Sequence, residues 1–260
     1  MSTPTTRSSL ARAARQQGFT LVELMVTVAI ALFLLGGLLT IVQNVRTANL
    51  NQTALAQLQD EQRFAMTVIT DAVQSGGYFA DPTVDTTGSL PASGAFLQPG
   101  WVFAGSHTVG AADAVAQDTI ATRFRTQVGY GPILCDGTDT SKVGGDYSIQ
   151  FSLNAATSQL MCTVTGGPNN GVPVALVSGV QAMAIYYGVK RDFGTADYNV
   201  DTYVTWDKMS VLNGANDYLN VSAVRIVLTF ANPLFPQPNQ PQTITMERVV
   251  EVMNRAGLHT

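Results

Sequence analysis

The sequence is short of charge: Asp, Glu, Lys and Arg make up 12% of its 260 residues, about half the usual share of a globular chain. Charge-driven disorder is excluded, because 46% of the chain is hydrophobic and can close a core. Basic residues are few, fourteen against eighteen acidic ones, for a net charge of −4. Beyond residue 18 they are scattered, with Arg123/Arg125 and Lys190/Arg191 the only close pairs. No direct nucleic-acid binding is expected of such a surface. Two cysteines, Cys135 and Cys162, are too few for a disulfide scaffold, and the two histidines, His107 and His259, lie at no ligand spacing from a cysteine or carboxylate. His-Glu-x-x-His is missing, so no metal site is expected. Gly-x-Ser-x-Gly and Gly-x-x-x-x-Gly-Lys are missing too, which leaves no nucleophile elbow and no phosphate-cradling loop. No catalytic residue and no cofactor is assigned.

What the chain does have begins at its N-terminus. The first eighteen residues carry Arg7, Arg12 and Arg15 and no acid, and from Phe19 to Val42 runs an apolar stretch whose single charge is Glu23. As a helix it would be roughly 36 Å long, enough to cross a bilayer. Three arginines before the span and Arg46 alone just after it place the N-terminus in the cytoplasm and the bulk of the chain outside. The span is longer than the apolar core of a secretory signal and is followed by Gln43-Asn44-Val45-Arg46, which disfavours cleavage behind it. Glu23 is the anomaly, because a carboxylate in hydrocarbon costs on the order of 2 to 3 kcal/mol or more unless it finds a partner.

The string Gly18-Phe19-Thr20-Leu21-Val22-Glu23-Leu24, after a basic leader and before an apolar helix, resembles the prepilin signature of type IV pilins and type II secretion pseudopilins. The resemblance implies cleavage by a prepilin peptidase between Gly18 and Phe19 and methylation of the new Phe19 amine. It also implies that Glu23 offsets that amine, in its own or a neighbouring subunit, during filament assembly. A buried charge pair of this kind specifies register more than it adds stability. Where many major pilins have a proline partway along this helix, this chain has Gly36-Gly37, which would either loosen the helix or let helices pack closely.

Between Ile41 and Ser75 there is no Pro or Gly, and apolar residues recur at Val45, Ala48, Leu55, Leu58, Ala65, Ile69 and Ala72 with Met66, Val68 and Val73 beside them. That is helical periodicity, stopped by Gly76-Gly77. Together with the apolar span it predicts one helix of about fifty-five residues, on the order of 80 Å. Beyond Tyr78 the texture turns to strands, predicted at 118–124, 147–153, 159–165, 180–188, 222–231 and 243–252. The fold class is α+β, a long N-terminal helix packed on an antiparallel β-sheet head. Its parts are a cleaved leader (1–18), a membrane and filament-core helix (19–42), a periplasmic half-helix (43–77) and one head domain (78–260). Arg191 to Leu219 reads as a long polar loop.

Leu58-Gln59-Asp60-Glu61-Gln62-Arg63-Phe64-Ala65 with Gly76-Gly77-Tyr78-Phe79 resembles the helix exit of PilW-type minor pilins. So does the order Val180-Gln181-Ala182, Tyr186-Tyr187-Gly188, Tyr203 with Trp206, and Val221 to Arg225. The resemblance implies a non-enzymatic, inner-membrane filament subunit that helps prime type IV pili for twitching, adhesion or DNA uptake. Its implied partners are the prepilin peptidase, other minor pilins and the major pilin, with a tip adhesin as a further candidate. The alternatives are a minor pseudopilin at the tip of a type II secretion system and a signal-anchored periplasmic module or enzyme. Export favours a Cys135–Cys162 disulfide over two free thiols. Asp136, Asp139 and Asp146, or Asp192, Asp197 and Asp201, could gather around calcium, but neither set has EF-hand spacing and solvated turns are the expected reading. Tyr186, Tyr187, Tyr203 and Trp206 suit a subunit interface or the core equally well.

Overall fold

A computed structural model describes residues 18–79, 86–167, 170–191, 199–212 and 215–253. The leader up to residue 17, His259, Asp192 and Asp197 lie outside them. The chain divides into two compact units, Met1–Gln52 and Thr53–Thr260.

One α-helix, α1, runs from Leu21 to Ser75, the 55 residues that the periodicity predicts. Thr20 caps it: its hydroxyl accepts from the Glu23 N–H at 3.3 Å and its carbonyl from the Leu24 N–H at 3.2 Å. Gly36 and Gly37 lie inside unbroken helix, where an added Cβ would meet nothing within 4 Å. The helix stops where glycine is needed twice over. Gly77 adopts φ 74°, and a Cβ on Gly76 would come within 2.6 Å of the Thr122 hydroxyl. In the first unit the helix is exposed along its length, and it is long and apolar enough to cross a membrane.

In the second unit the rest of α1 buries one stripe, Leu58, Ala65, Met66, Ile69, Ala72 and Val73. Burying each of the larger ones contributes about 1.5 to 3 kcal/mol. Val45 and Ala48, expected in that stripe, are exposed, so burial within the chain starts near Leu55.

All six expected strands are present: the last three share one antiparallel sheet, as expected, and the first three belong to a separate one. The first sheet has the order β1 (Phe103–Ser106), β2 (Thr119–Thr126), β3 (Gly145–Asn154), β4 (Gln159–Thr165), β5 (Pro173–Ser178). The second contains β6 (Val180–Val189), β7 (Thr202–Val204), β10 (Ala223–Ala231) and β11 (Thr243–Glu251) in the order β11-β10-β6-β7. Every named pairing is antiparallel. The supposed 191–219 loop holds β7, two short 3₁₀ turns (Trp206–Lys208 and Asp217–Leu219) and a small hairpin, β8 (Val211–Leu212) with β9 (Ala215–Asn216).

The inward faces of both sheets and the helix stripe form one core. Phe103, Phe124 and Phe151 come from the first sheet, and Ile185, Tyr187, Ile226, Leu228 and Phe230 from the second. Val224, Ile226, Leu228 and Phe230 enter that core with the strand's period of two, while on the other face Arg225 is half-buried and Val227 packs in a separate cluster with Ala116 and Ala184.

Candidate functional site

The first candidate is the start of α1. Gly18, Phe19 and Thr20 precede the helix and are exposed, Phe19 by 80%. Because a Cβ on Gly18 would touch nothing within 4 Å, this fold makes no demand for glycine there. Glu23 sits in the first helical turn, three residues after the capping threonine. A carboxylate there complements the positive end of the helix dipole. Thr20-x-x-Glu23 is also the capping-box spacing, so the residue has a local structural use beside any assembly role.

The second candidate region is the head. Cys135 and Cys162 form a disulfide, with Cα atoms 6.4 Å apart, tying the segment after β2 to the buried face of β4. The acidic residues considered for calcium are spread over separate tasks. Asp136 accepts from the Thr138 N–H and hydroxyl at 2.9 and 2.8 Å, and Asp139 from the Ser141 N–H and hydroxyl at 3.1 and 2.6 Å. Asp146 pairs with Arg125 at 2.5 Å and Asp201 accepts from the Arg191 N–H at 2.8 Å. Among the described residues no group of three or more His, Cys, Asp or Glu side chains could hold a metal ion.

Of the four aromatic residues singled out, Tyr187 is fully buried and belongs to the core, while Tyr203 is 40% exposed. Trp206 joins Trp101 and Tyr218, which stack at 4.2 Å between ring centroids; Trp206 meets both edge-on and reaches Tyr187 at 5.3 Å. This cluster anchors the turns Trp206–Lys208 and Asp217–Leu219 to the sheets.

Three polar clamps were not legible in the sequence. Arg123, 6% exposed, donates to the carbonyls of Leu90, Pro91, Gln98 and Trp101 and lies over the Phe96 ring at 4.6 Å. Burial pushes its guanidinium down to about 10, so it stays charged at neutral pH. Asp118, 1% exposed, accepts from His107 Nδ1 at 3.0 Å, the Thr108 N–H at 2.9 Å and the Ile185 N–H at 2.9 Å. Asp217, equally buried, is held by Arg191 and by the Ser210 N–H at 2.8 Å. Burial would raise its carboxyl, but these donors outweigh it and leave the group below the usual carboxylate range. The close pairs Arg123/Arg125 and Lys190/Arg191 were the sequence signals, and they said nothing about the buried Asp217 or about four carbonyls 22 to 33 residues before Arg123.

The outer face of the second sheet carries a polar run across three strands. Asp113 accepts from the Tyr186 hydroxyl, chiefly for which reason that phenol is pushed up to about 12. Arg225 lies over the Tyr186 ring at 5.2 Å and donates to Glu247 at 2.6 Å. The run thus reaches from β6 through β10 to β11.

Known proteins give the family context for these features. The family described as "Type IV Pilus-assembly protein W" matches residues 146–253, and the "Prokaryotic N-terminal methylation motif" matches residues 13–39; together they take in just over half of the chain. Among curated proteins no match is found. Among solved structures, a type IV-like pilin from Thermus thermophilus aligns with 76% of this chain and 96% of its own, at 15% identity and a TM-score of 0.41.

Proposed function

Because the chain is a PilW-type minor pilin of the type IV pilus, we propose that it is a low-copy structural subunit that helps start pilus assembly. The observation that carries the reading is the coupling, in one chain, of a methylation motif over 13–39 to a pilus-assembly domain over 146–253.

A prepilin peptidase cuts between Gly18 and Phe19 and the new amine is methylated. The exposed, non-helical backbone before Leu21 supports this, since a peptidase needs an accessible bond in extended chain. Cutting there removes the basic leader and keeps the apolar helix. The product is a single-pass inner-membrane protein with its N-terminus toward the cytoplasm and its head in the periplasm. Extraction into a filament exchanges lipid contacts for helix contacts, so little apolar surface is exposed to water on the way. Glu23 then meets the Phe19 amine of its own or a neighbouring chain. Its partners are the other minor pilins and the major pilin, with a tip adhesin as a further candidate. The function is structural, and no catalysis is assigned.

The direct test is the amount of major pilin in the sheared surface fraction of a strain lacking this protein, beside secreted-enzyme activity and a complemented control. Lost surface pilin with intact secretion supports the reading; intact pili with lost secretion would make the chain a pseudopilin. Glu23→Ala is expected to be processed normally yet incorporated at least tenfold less well, as read by immunoblotting of membrane and sheared fractions. Normal incorporation would remove the role given to the carboxylate.

A further inference from the structure

Among the described residues the two larger sheets have four outer edges, and three are short or interrupted. β1 has four residues and β7 three. β5 has six, begins with Pro173 and pairs with β4 through a register shift. Such features deny a foreign strand a continuous template. The fourth edge, β11, is nine residues long, contains no proline and keeps one register with β10 throughout.

The direction of its free hydrogen-bonding groups follows from the ladder. The Val252 N–H donates to Ser222 at 2.9 Å, and at the other end the Asn232 N–H donates to Gln242 at 3.0 Å. Even-numbered residues of β11 therefore bond to β10, and Thr243, Thr245, Glu247, Val249 and Glu251 turn their N–H and C=O groups outward. Among the described residues none pairs with that row.

The strand is also held in place beforehand. Asn232 Nδ2 donates to the Pro241 carbonyl at 2.7 Å, fixing the turn into β11, and Arg225 grips Glu247 from near the start of β10. An ordered edge loses little further conformational freedom on pairing. On the same side, Thr245, Glu247, Val249 and Glu251 are exposed, an acidic and β-branched row.

We propose that β11 is the docking edge for an extended segment of a different pilus subunit, which adds to the second sheet as a fifth strand. The proposal rests on the minor-pilin reading above. The acidic row selects a strand with a Lys or Arg facing Glu247 or Glu251, since opposite charges across a strand pair stabilise and like charges destabilise. A second copy of this chain offers that row no basic residue: in the fully overlapped antiparallel pairing of two β11 strands, Glu247 stands opposite its own counterpart and Glu251 opposite Thr243.

Strand addition has an alternating signature that side-chain docking lacks. The experiment compares residue-resolved amide hydrogen exchange of the full-length protein alone in detergent with the same protein co-purified with its co-expressed pilus subunits. The amides of Thr245, Glu247 and Val249 are expected to slow at least tenfold in the complex, while those of Met246 and Arg248, already bonded to β10, change far less. Unchanged odd-numbered amides in a complex that does form would overturn the proposal. Slowing that appears in the isolated protein as its concentration rises would overturn the choice of partner in favour of a second copy.

Val249→Pro deletes one outward N–H and no bond to β10. It is expected to lower incorporation at least tenfold with leader cleavage and melting temperature unchanged. Glu251→Lys, which keeps the backbone intact should the proline variant fail to fold, is expected to weaken co-purification severalfold. Normal behaviour of a folded Val249→Pro would count against the edge. If the wild-type protein itself enters no pilus fraction, it is the minor-pilin reading that fails.

Discussion

At the scale of single residues, the head depends on a few buried charges that each serve several backbone groups. Arg123 satisfies carbonyls from Leu90 to Trp101, a segment with little regular structure of its own. Arg123→Met keeps much of the volume but strands those carbonyls, and a loss of about 2 to 3 kcal/mol is expected in denaturant unfolding, with faster exchange of amides 90–101. Asp217 gives a pH-dependent prediction. Its folded carboxyl titrates below the unfolded value of about 3.9. Its contribution is therefore present in full above that value and is lost as pH falls through the lower, folded one. Asp217→Asn is expected to melt lower than wild type at pH 7, with the gap closing below about pH 4. A gap independent of pH would show that the charge is not what holds the 199–220 segment.

At the scale of elements, α1 was legible because its signals are local: a capping threonine, a run without proline, a periodic stripe and a glycine pair that stops it. The strands with alternating or continuous apolar sequence were legible for the same reason. β1, β7, β8 and β9 were not, because two to four residues carry too little pattern to distinguish them from loop, and their partners lie elsewhere in the chain. β5 was hidden by its opening Pro173. The disulfide belongs to this scale too, since it joins the β2–β3 connection to β4 across 27 residues of sequence. In the chain-entropy description, closing a loop of that length contributes about 3.5 kcal/mol. Replacing both cysteines with alanine is expected to lower unfolding stability by about that amount, while leaving leader cleavage unaffected.

At the scale of the whole molecule, the second unit consists of two sheets that share a core, and Asp118 is one of their joints. It lies immediately before β2, an inner strand of the first sheet, and accepts from Ile185 in the second, and its neighbour Gln117 bridges to Met183. Asp118→Ala leaves those donors buried without an acceptor. A loss of about 3 kcal/mol is expected, read by urea unfolding, with His107 becoming accessible to chemical modification. The sequence by itself determined the long helix, an apolar half long enough to cross a membrane, the N-terminal methylation motif, the six longer strands and the family they suggest. All of these are written in contiguous residues, where spacing and hydropathy act directly on local structure. Only the tertiary structure decided that the strands divide into two sheets, that Tyr187 belongs to the core while Tyr203 faces solvent, and that Arg123, Asp118 and Asp217 are clamps. It also decided that β11 is the long open edge. Those outcomes depend on which distant segments meet, and that is set by how one core can be filled from all of them at once.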